Sequence, residues 1–258
     1  MLNTQTFGAD VPGPPIVIAH GLFGSGRNWG GIARRLAETR RVVTVDMRNH
    51  ASSPWIGPHR YPEMAEDLAE VIAGHGGQAD VIGHSMGGKA AMVLALRHPQ
   101  AVRRLVVADI APVDYGHTQQ GMIDAMRSVD LSAVETRGDA DAQLAGAVAE
   151  AGVRAFLLQS LDVKAREWRL NLDQLEADMP AILGFPDMSE AFEGPVLMLS
   201  GAASDYVRTE HRDAIRALFP AARFAKIPGA GHWLHAEKPR EFEAAVTAFL
   251  SAGAAVQA

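Results

Sequence analysis

The sequence contains no cysteine. That excludes disulfides, a thiol nucleophile and thiolate-bound zinc, and it fits a reducing compartment. Aromatic residues are sparse, 6% of 258, and do not interleave with Lys or Arg. Positive charge is not in excess, since the formal net charge is −6. A nucleic-acid partner would want a basic face, so none is expected. Long hydrophobic runs are missing too. The longest, near Ala90 to Leu96, is far too short to cross a bilayer, so no membrane span is expected. Met1 to Pro15 has no basic start followed by an apolar stretch, so no secretory signal is expected and the expected location is cytoplasmic.

What is present is ordinary for a globular chain: 48% hydrophobic and 21% charged residues. The length fits one domain, or one domain carrying a large insertion. Short apolar runs at Ile16–Ala19, Arg41–Val45, Val81–Ile82, Arg104–Ala108, Pro195–Ser200 and Arg223–Ile227 read as six strands. Helical patterns alternate with them. Trp29, Ile32 and Leu36 recur at helical spacing. Pro62 opens a helix striped by Met64, Leu68, Val71 and Ile72. Pro239 opens another, with Phe242, Val246, Phe249 and Leu250 on one face.

The alternation breaks from about Tyr115 to Gly194. That stretch is rich in Ala, Asp, Glu and Leu, mostly helical by pattern and without a strand-like run. The expected architecture is therefore α/β: a doubly wound, mostly parallel sheet with a helical cap inserted in it. Residues 1–114 and 195–258 form the core, and residues 115–194 the cap.

Ligands of such sheets bind beyond the carboxyl ends of the strands. His20, Ser85, Asp109 and His232 each follow an expected strand and should gather there. Ser85 sits in Gly83-His84-Ser85-Met86-Gly87, between a strand and a helix. Gly-x-Ser-x-Gly in that setting is a nucleophile elbow. The glycines relieve crowding, the turn pushes Oγ outward, and the Met86 N–H starts the next helix.

A serine hydroxyl needs a base at neutral pH, and the base needs an acid to hold its tautomer. Ser85, Asp109 and His232 follow the chain order Ser…Asp…His of α/β-hydrolases. Asp109 and Asp205 are the candidate acids. Many such enzymes carry the acid three residues after a glycine in the later loop, where this chain has Ser204. Asp205 is one step late, and one step turns a side chain away. Asp109 is the expected acid and Asp205 the alternative. The Leu22 and Met86 N–H groups are the expected oxyanion donors. Phe23, His84 and Trp233 are expected to line the pocket. His235 forms a His-x-x-His pair with His232, but no ligand cluster supports a metal. Asp46, Arg48, Asn49 and His50 read as a network that stabilises its loop.

These motifs resemble a family. His20-Gly21-Leu22-Phe23-Gly24-Ser25, Gly83-His84-Ser85-Met86-Gly87-Gly88-Lys89, Asp109-Ile110-Ala111-Pro112-Val113-Asp114-Tyr115 and the segment from Gly229 to Pro239 look like the bacterial YbfF-type esterases. Those are similar to the abhydrolase-domain-11 proteins of animals. The resemblance implies hydrolysis of small-molecule esters, extending to acyl thioesters, without a cofactor. It also implies that the acid lies in Asp-Ile-Ala-Pro, at Asp109. Two residues depart from the family pattern: Ala51, where Gly is usual, and Asp205, where Pro is usual. The expected activity is that of a serine esterase working through an acyl-enzyme. The rival readings are a C–C bond hydrolase or a cofactor-free perhydrolase on the same fold, and a non-catalytic ligand receptor.

Overall fold

The structure, a computed structural model, describes residues 1–252. Its centre is a seven-stranded sheet. The strands are β1 (Thr4–Phe7), β2 (Ile16–Ala19), β3 (Val42–Val45), β4 (Ala79–His84), β5 (Val102–Ala108), β8 (Val196–Gly201) and β9 (Ala222–Ile227). Two short strands, β6 (Leu161–Asp162) and β7 (Glu167–Trp168), pair separately. The order across the main sheet is β1-β3-β2-β4-β5-β8-β9. Every pairing in it is parallel except β1 with β3.

The helices are α1 (Gly30–Leu36), α2 (Tyr61–Gly74), α3 (Met86–Arg97), α4 (Gln120–Arg127), α5 (Arg137–Leu144), α6 (Ala151–Leu157), α7 (Leu172–Ala177), α8 (Met179–Leu183), α9 (Arg212–Leu218), α10 (Leu234–Glu237) and α11 (Pro239–Ser251). None of these described helices is long and apolar enough to cross a membrane.

Strands β2, β3 and β4 are buried along their whole length, which is why they read as continuous apolar runs. Successive side chains point to opposite faces of the sheet. Ile16 and Ile18 enter one apolar cluster with Trp29, Ile32 and Phe242. Val17 and Ala19 enter the other with Met64, Leu68 and Met92. Helices α1 and α11 cover the first face, and α2 and α3 the second.

Two expectations need correction. The sheet has a seventh strand, β1, at its edge. Its sequence, Thr-Gln-Thr-Phe, is mostly polar and only partly buried, so it carries no apolar signal. Residues 115–194 are mostly helical but do contain strand, because β6 and β7, two residues each, pair within them. Pairs that short leave no alternation to read.

The chain leaves β2 toward β3, then returns past β2 to β4 on its other side. The loops after β2 and β4 therefore flank the point where strand order reverses, the position that favours a binding crevice.

Candidate active site

The elbow after β4 is forced by close contacts. A Cβ on Gly83 would lie 2.3 Å from the Gly87 carbonyl oxygen, and one on Gly87 would lie 2.5 Å from those of Ala19 and His20. No side chain fits either place. Ser85 bends between them with φ 52° and ψ −121°. Such a backbone persists only where its surroundings over-determine it, and it marks functional sites. Among the described residues, all positive-φ non-glycine residues but Arg166 lie in the loops after β2 to β5: Phe23, Asn49, Ala51, Ser85 and Asp109.

Ser85 Oγ lies 3.1 Å from His232 Nε2, and His232 Nδ1 lies 2.8 Å from Asp109 Oδ2. With the proton on Nδ1, His232 donates to Asp109 and accepts from Ser85. Asp109 is fully buried. Its Oδ1 accepts from the Gly201 N–H at 3.1 Å, and its Oδ2 also accepts from the Ser204 hydroxyl. Asp205 is exposed, and its described contact is through its carbonyl, which accepts from Arg208 Nε at 3.1 Å. The structure thus puts Asp109, not Asp205, behind His232. Ser204, at the usual acid position, touches the same oxygen that His232 does.

The loop from His20 to Gly24 presses against the elbow. A Cβ on Gly21 would lie 3.2 Å from that of Ser85. Leu22 is half-buried there. Met86 begins α3, so its N–H has no carbonyl one turn earlier within the helix. Both N–H groups belong to segments that meet at Ser85.

Around Ser85 opens a cavity of ≈ 120 Å³ that communicates with solvent. Phe23, His84 and Trp233 all line it, with Tyr61, Ile110, Tyr115, Met122, Phe156 and Ile182. Much of this wall is apolar, and Met122, Phe156 and Ile182 come from the inserted segment. Among the described residues no group of three or more His, Asp or Glu could hold a metal ion.

The sequence model of the alpha/beta hydrolase fold matches residues 14–239. The chain belongs to that family. A mouse relative named sn-1-specific diacylglycerol lipase ABHD11 is 43% identical over 97% of this chain and 85% of its own length. Esterase YbfF of Escherichia coli (strain K12) is 42% identical over 97% of this chain and 98% of its own. A solved marine microorganism esterase superposes with a TM-score of 0.91 at 37% identity, covering 96% of this chain and 98% of that one.

This hydrolase-fold site rests on a bed of neutral histidines. Burial holds His20 and His84 below their ordinary pKa, and brings His59 and His235 down to about 3. His50 is lowered well below 6.5 by burial and by its neighbours His20 and His59. His84 Nε2–H donates to the His232 carbonyl at 2.8 Å and so steadies the loop that carries His232. It lines the pocket mainly as a brace. His235 stacks on Trp29 with ring centres 4.1 Å apart, a packing role. Asp46 accepts from the Gly26 N–H at 2.8 Å, and Arg48 grips Asp67 at 2.6 and 2.8 Å, so this network ties loops together.

Two residues at the site, Tyr206 and Ser204, carry no motif of their own, and a third, Lys89, closes the elbow motif. Tyr206 lies parallel to His232 with ring centres 3.8 Å apart. Ser204 shares Asp109. Lys89 Nζ donates to the carbonyls of Val113, Leu183 and Gly184 at 2.8, 2.8 and 2.6 Å. Burial pulls the Lys89 pKa down to about 7. The three carbonyls oppose that pull, because only an ammonium has three N–H groups to give. Tyr206 and Ser204 flank the misplaced Asp205, and the displaced acid was the one sequence signal pointing to them.

Proposed function

We propose that this chain hydrolyses carboxylic esters by way of an acyl-enzyme. The observation that carries the reading is the Ser85–His232–Asp109 relay, with contacts of 3.1 and 2.8 Å, opening into a largely apolar cavity. Ser85 is the nucleophile. His232 Nε2 takes the Ser85 proton as Oγ attacks the acyl carbon, and Asp109 holds the imidazole in the tautomer that can do so. The Leu22 and Met86 N–H groups receive the negative charge that develops on the carbonyl oxygen. The tetrahedral intermediate collapses and the C–O bond to the alcohol breaks. His232 returns its proton to the departing alcohol. Water, deprotonated by His232, then attacks the acyl-enzyme and frees the acid.

Residues 1–114 and 195–252 act as the hydrolase core, and residues 115–194 as a cap over the acyl group; the expected core boundary at 258 lies outside the described residues. The apolar wall suits an acyl chain, with Phe23, Phe156 and Trp233 against it. The names of the mouse and E. coli relatives, a lipase and an esterase, support the ester class.

The test is Ser85→Ala on a series of p-nitrophenyl esters, beside labelling with a fluorophosphonate probe. The variant should lose on the order of 10⁶ in kcat, and the probe should modify Ser85 alone. Turnover retained by pure Ser85→Ala would rule the mechanism out.

A further inference from the structure

The Leu22 N–H sits at the front of a four-residue turn. The Gly21 carbonyl accepts from the Gly24 N–H at 3.1 Å, with Leu22 and Phe23 between them. Phe23 has φ 64°. A turn with positive φ at its third residue is normally built with Gly or Asn there, because a Cβ is strained in that region. Phenylalanine does not choose this shape unaided. Relaxing it to negative φ would flip the Leu22–Phe23 peptide, break the bond from the Phe23 N–H to His50, and loosen the turn that carries Leu22 beside Ser85.

Two side chains hold Phe23 in place, one on each side of its backbone. Its N–H donates to His50 Nε2 at 3.2 Å. Its carbonyl accepts from Ser160 Oγ at 2.7 Å, across 137 residues. Both bonds are buried. His50 is oriented for the task, since its Nδ1–H donates to the Arg48 carbonyl at 2.8 Å and leaves Nε2 as an acceptor. His20 packs edge-on against His50, with ring centres 5.1 Å apart.

Both holds lead to the inserted segment. Ser160 belongs to it. The His50 loop is stitched to it as well: His50 bridges Leu170, the Ala51 N–H donates to the Arg169 carbonyl at 2.7 Å, and the Asn171 N–H donates to that of Asn49 at 3.0 Å.

We propose that Ser160 and His50 are positioning residues, through which the docked segment 115–194 sets the turn that aims the Leu22 N–H at the oxyanion. This rests on the reading that Ser85 attacks an acyl carbon beside that N–H. The segment then roofs the pocket and also completes the catalytic geometry. A displaced segment releases Phe23, so that oxyanion stabilisation and acyl enclosure come and go together.

The test separates kcat from KM on p-nitrophenyl esters. Ser160→Ala should lower kcat on the order of tenfold with KM within about twofold, because a misaimed donor costs less than a deleted one. Ser160→Thr, which keeps the hydroxyl, should recover most of it. His50→Leu should act as Ser160→Ala does, and His50→Gln, which offers an acceptor at similar reach, should do less harm. The double variant Ser160→Ala, His50→Leu should approach the 10²–10³ loss of a whole oxyanion donor. An unchanged kcat in Ser160→Ala overturns the proposal, as does a change in KM alone, which would make Ser160 a pocket wall. Should Ser160→Ala not fold, the two His50 variants report on the same turn. Fluorophosphonate labelling keeps the two readings apart. No labelling of wild type defeats the hydrolase reading, whereas a labelled enzyme indifferent to Ser160 defeats only this one.

Discussion

Asp109→Asn is the sharpest probe of the site, because the two oxygens of Asp109 have different tasks. Oδ1 accepts from the Gly201 N–H at 3.1 Å, and Oδ2 faces His232 Nδ1 at 2.8 Å. An asparagine keeps the first bond only by leaving its oxygen on Gly201. Its NH₂ group then meets Nδ1, and two donors oppose each other. His232 answers by moving its proton to Nε2, which leaves no acceptor for the Ser85 hydroxyl. Loss of the working tautomer in a serine triad costs about 10⁴ in kcat, or about 5.5 kcal/mol at about 1.36 kcal/mol per decade. The assay is saturating p-nitrophenyl ester hydrolysis by wild type, Asp109→Asn and Asp205→Asn, with thermal melts to show that all three are folded. Asp205→Asn should stay within about threefold of wild type, as exposed side chains away from the chemistry do. Adding Ser204→Asp to Asp109→Asn tests the geometry again. Ser204 Oγ already touches Asp109 Oδ2, so a carboxylate at 204 should regain about 10² of the loss, a fraction of what the orienting acid supplies. The reasoning fails if Asp109→Asn keeps activity within tenfold of wild type, or if Asp205→Asn is the variant that dies.

Acid should weaken the fold well above the range where carboxylates titrate. An unfolded imidazole protonates near 6.5, whereas His59 and His235 resist down to about 3. Between those values the unfolded chain binds more protons, so stability is complete above about 6.5 and falls with pH. At pH 5 each of the two costs about 2 kcal/mol. A urea midpoint that stays level from pH 7 to pH 5 would refute this. Ala51, at φ 48°, occupies backbone where glycine has no penalty. Ala51→Gly removes about 1–2 kcal/mol of left-handed strain and adds about 0.5–1 kcal/mol of chain entropy. Calorimetry should show Tm rising by up to about 4 °C, and a fall would contradict the account.

The parts that were legible in the sequence share one property: their chemistry and their position along a strand coincide. Val81-Ile82 running into Gly-x-Ser-x-Gly places a serine at a strand end. Asp109 directly follows Leu105-Val106-Val107-Ala108. A parallel sheet then brings such ends together without further information. The departure at Ala51 was also visible, and its positive φ accounts for why glycine is usual there. What stayed hidden depends on distance or on weak pattern. Strand β1 has no apolar period. Ser160 reaches Phe23 from 137 residues away, and nothing in Leu158-Gln159-Ser160 marks it. Tyr206 is an aromatic residue beside a loop carboxylate until the fold lays it on His232. Ser204 stands where many such enzymes carry the acid, and only the fold shows it leaning on the acid from the other loop.

The Lys89 ammonium has a consequence for how such a protein can change. It fastens Val113, where the chain departs the sheet, to Leu183 and Gly184, where it comes back. Asp114 adds a rung by accepting from the Phe185 N–H at 2.7 Å. The excursion therefore begins and ends at a laced neck, and the entropy of closing so long a loop falls on the neck, whatever hangs from it. Material beyond the neck can be lengthened, shortened or exchanged while the sheet below stays as it is. On the reading proposed above, a new acyl preference is then a matter of grafting a different module onto the same stem, provided the graft brings its own hydroxyl to Phe23.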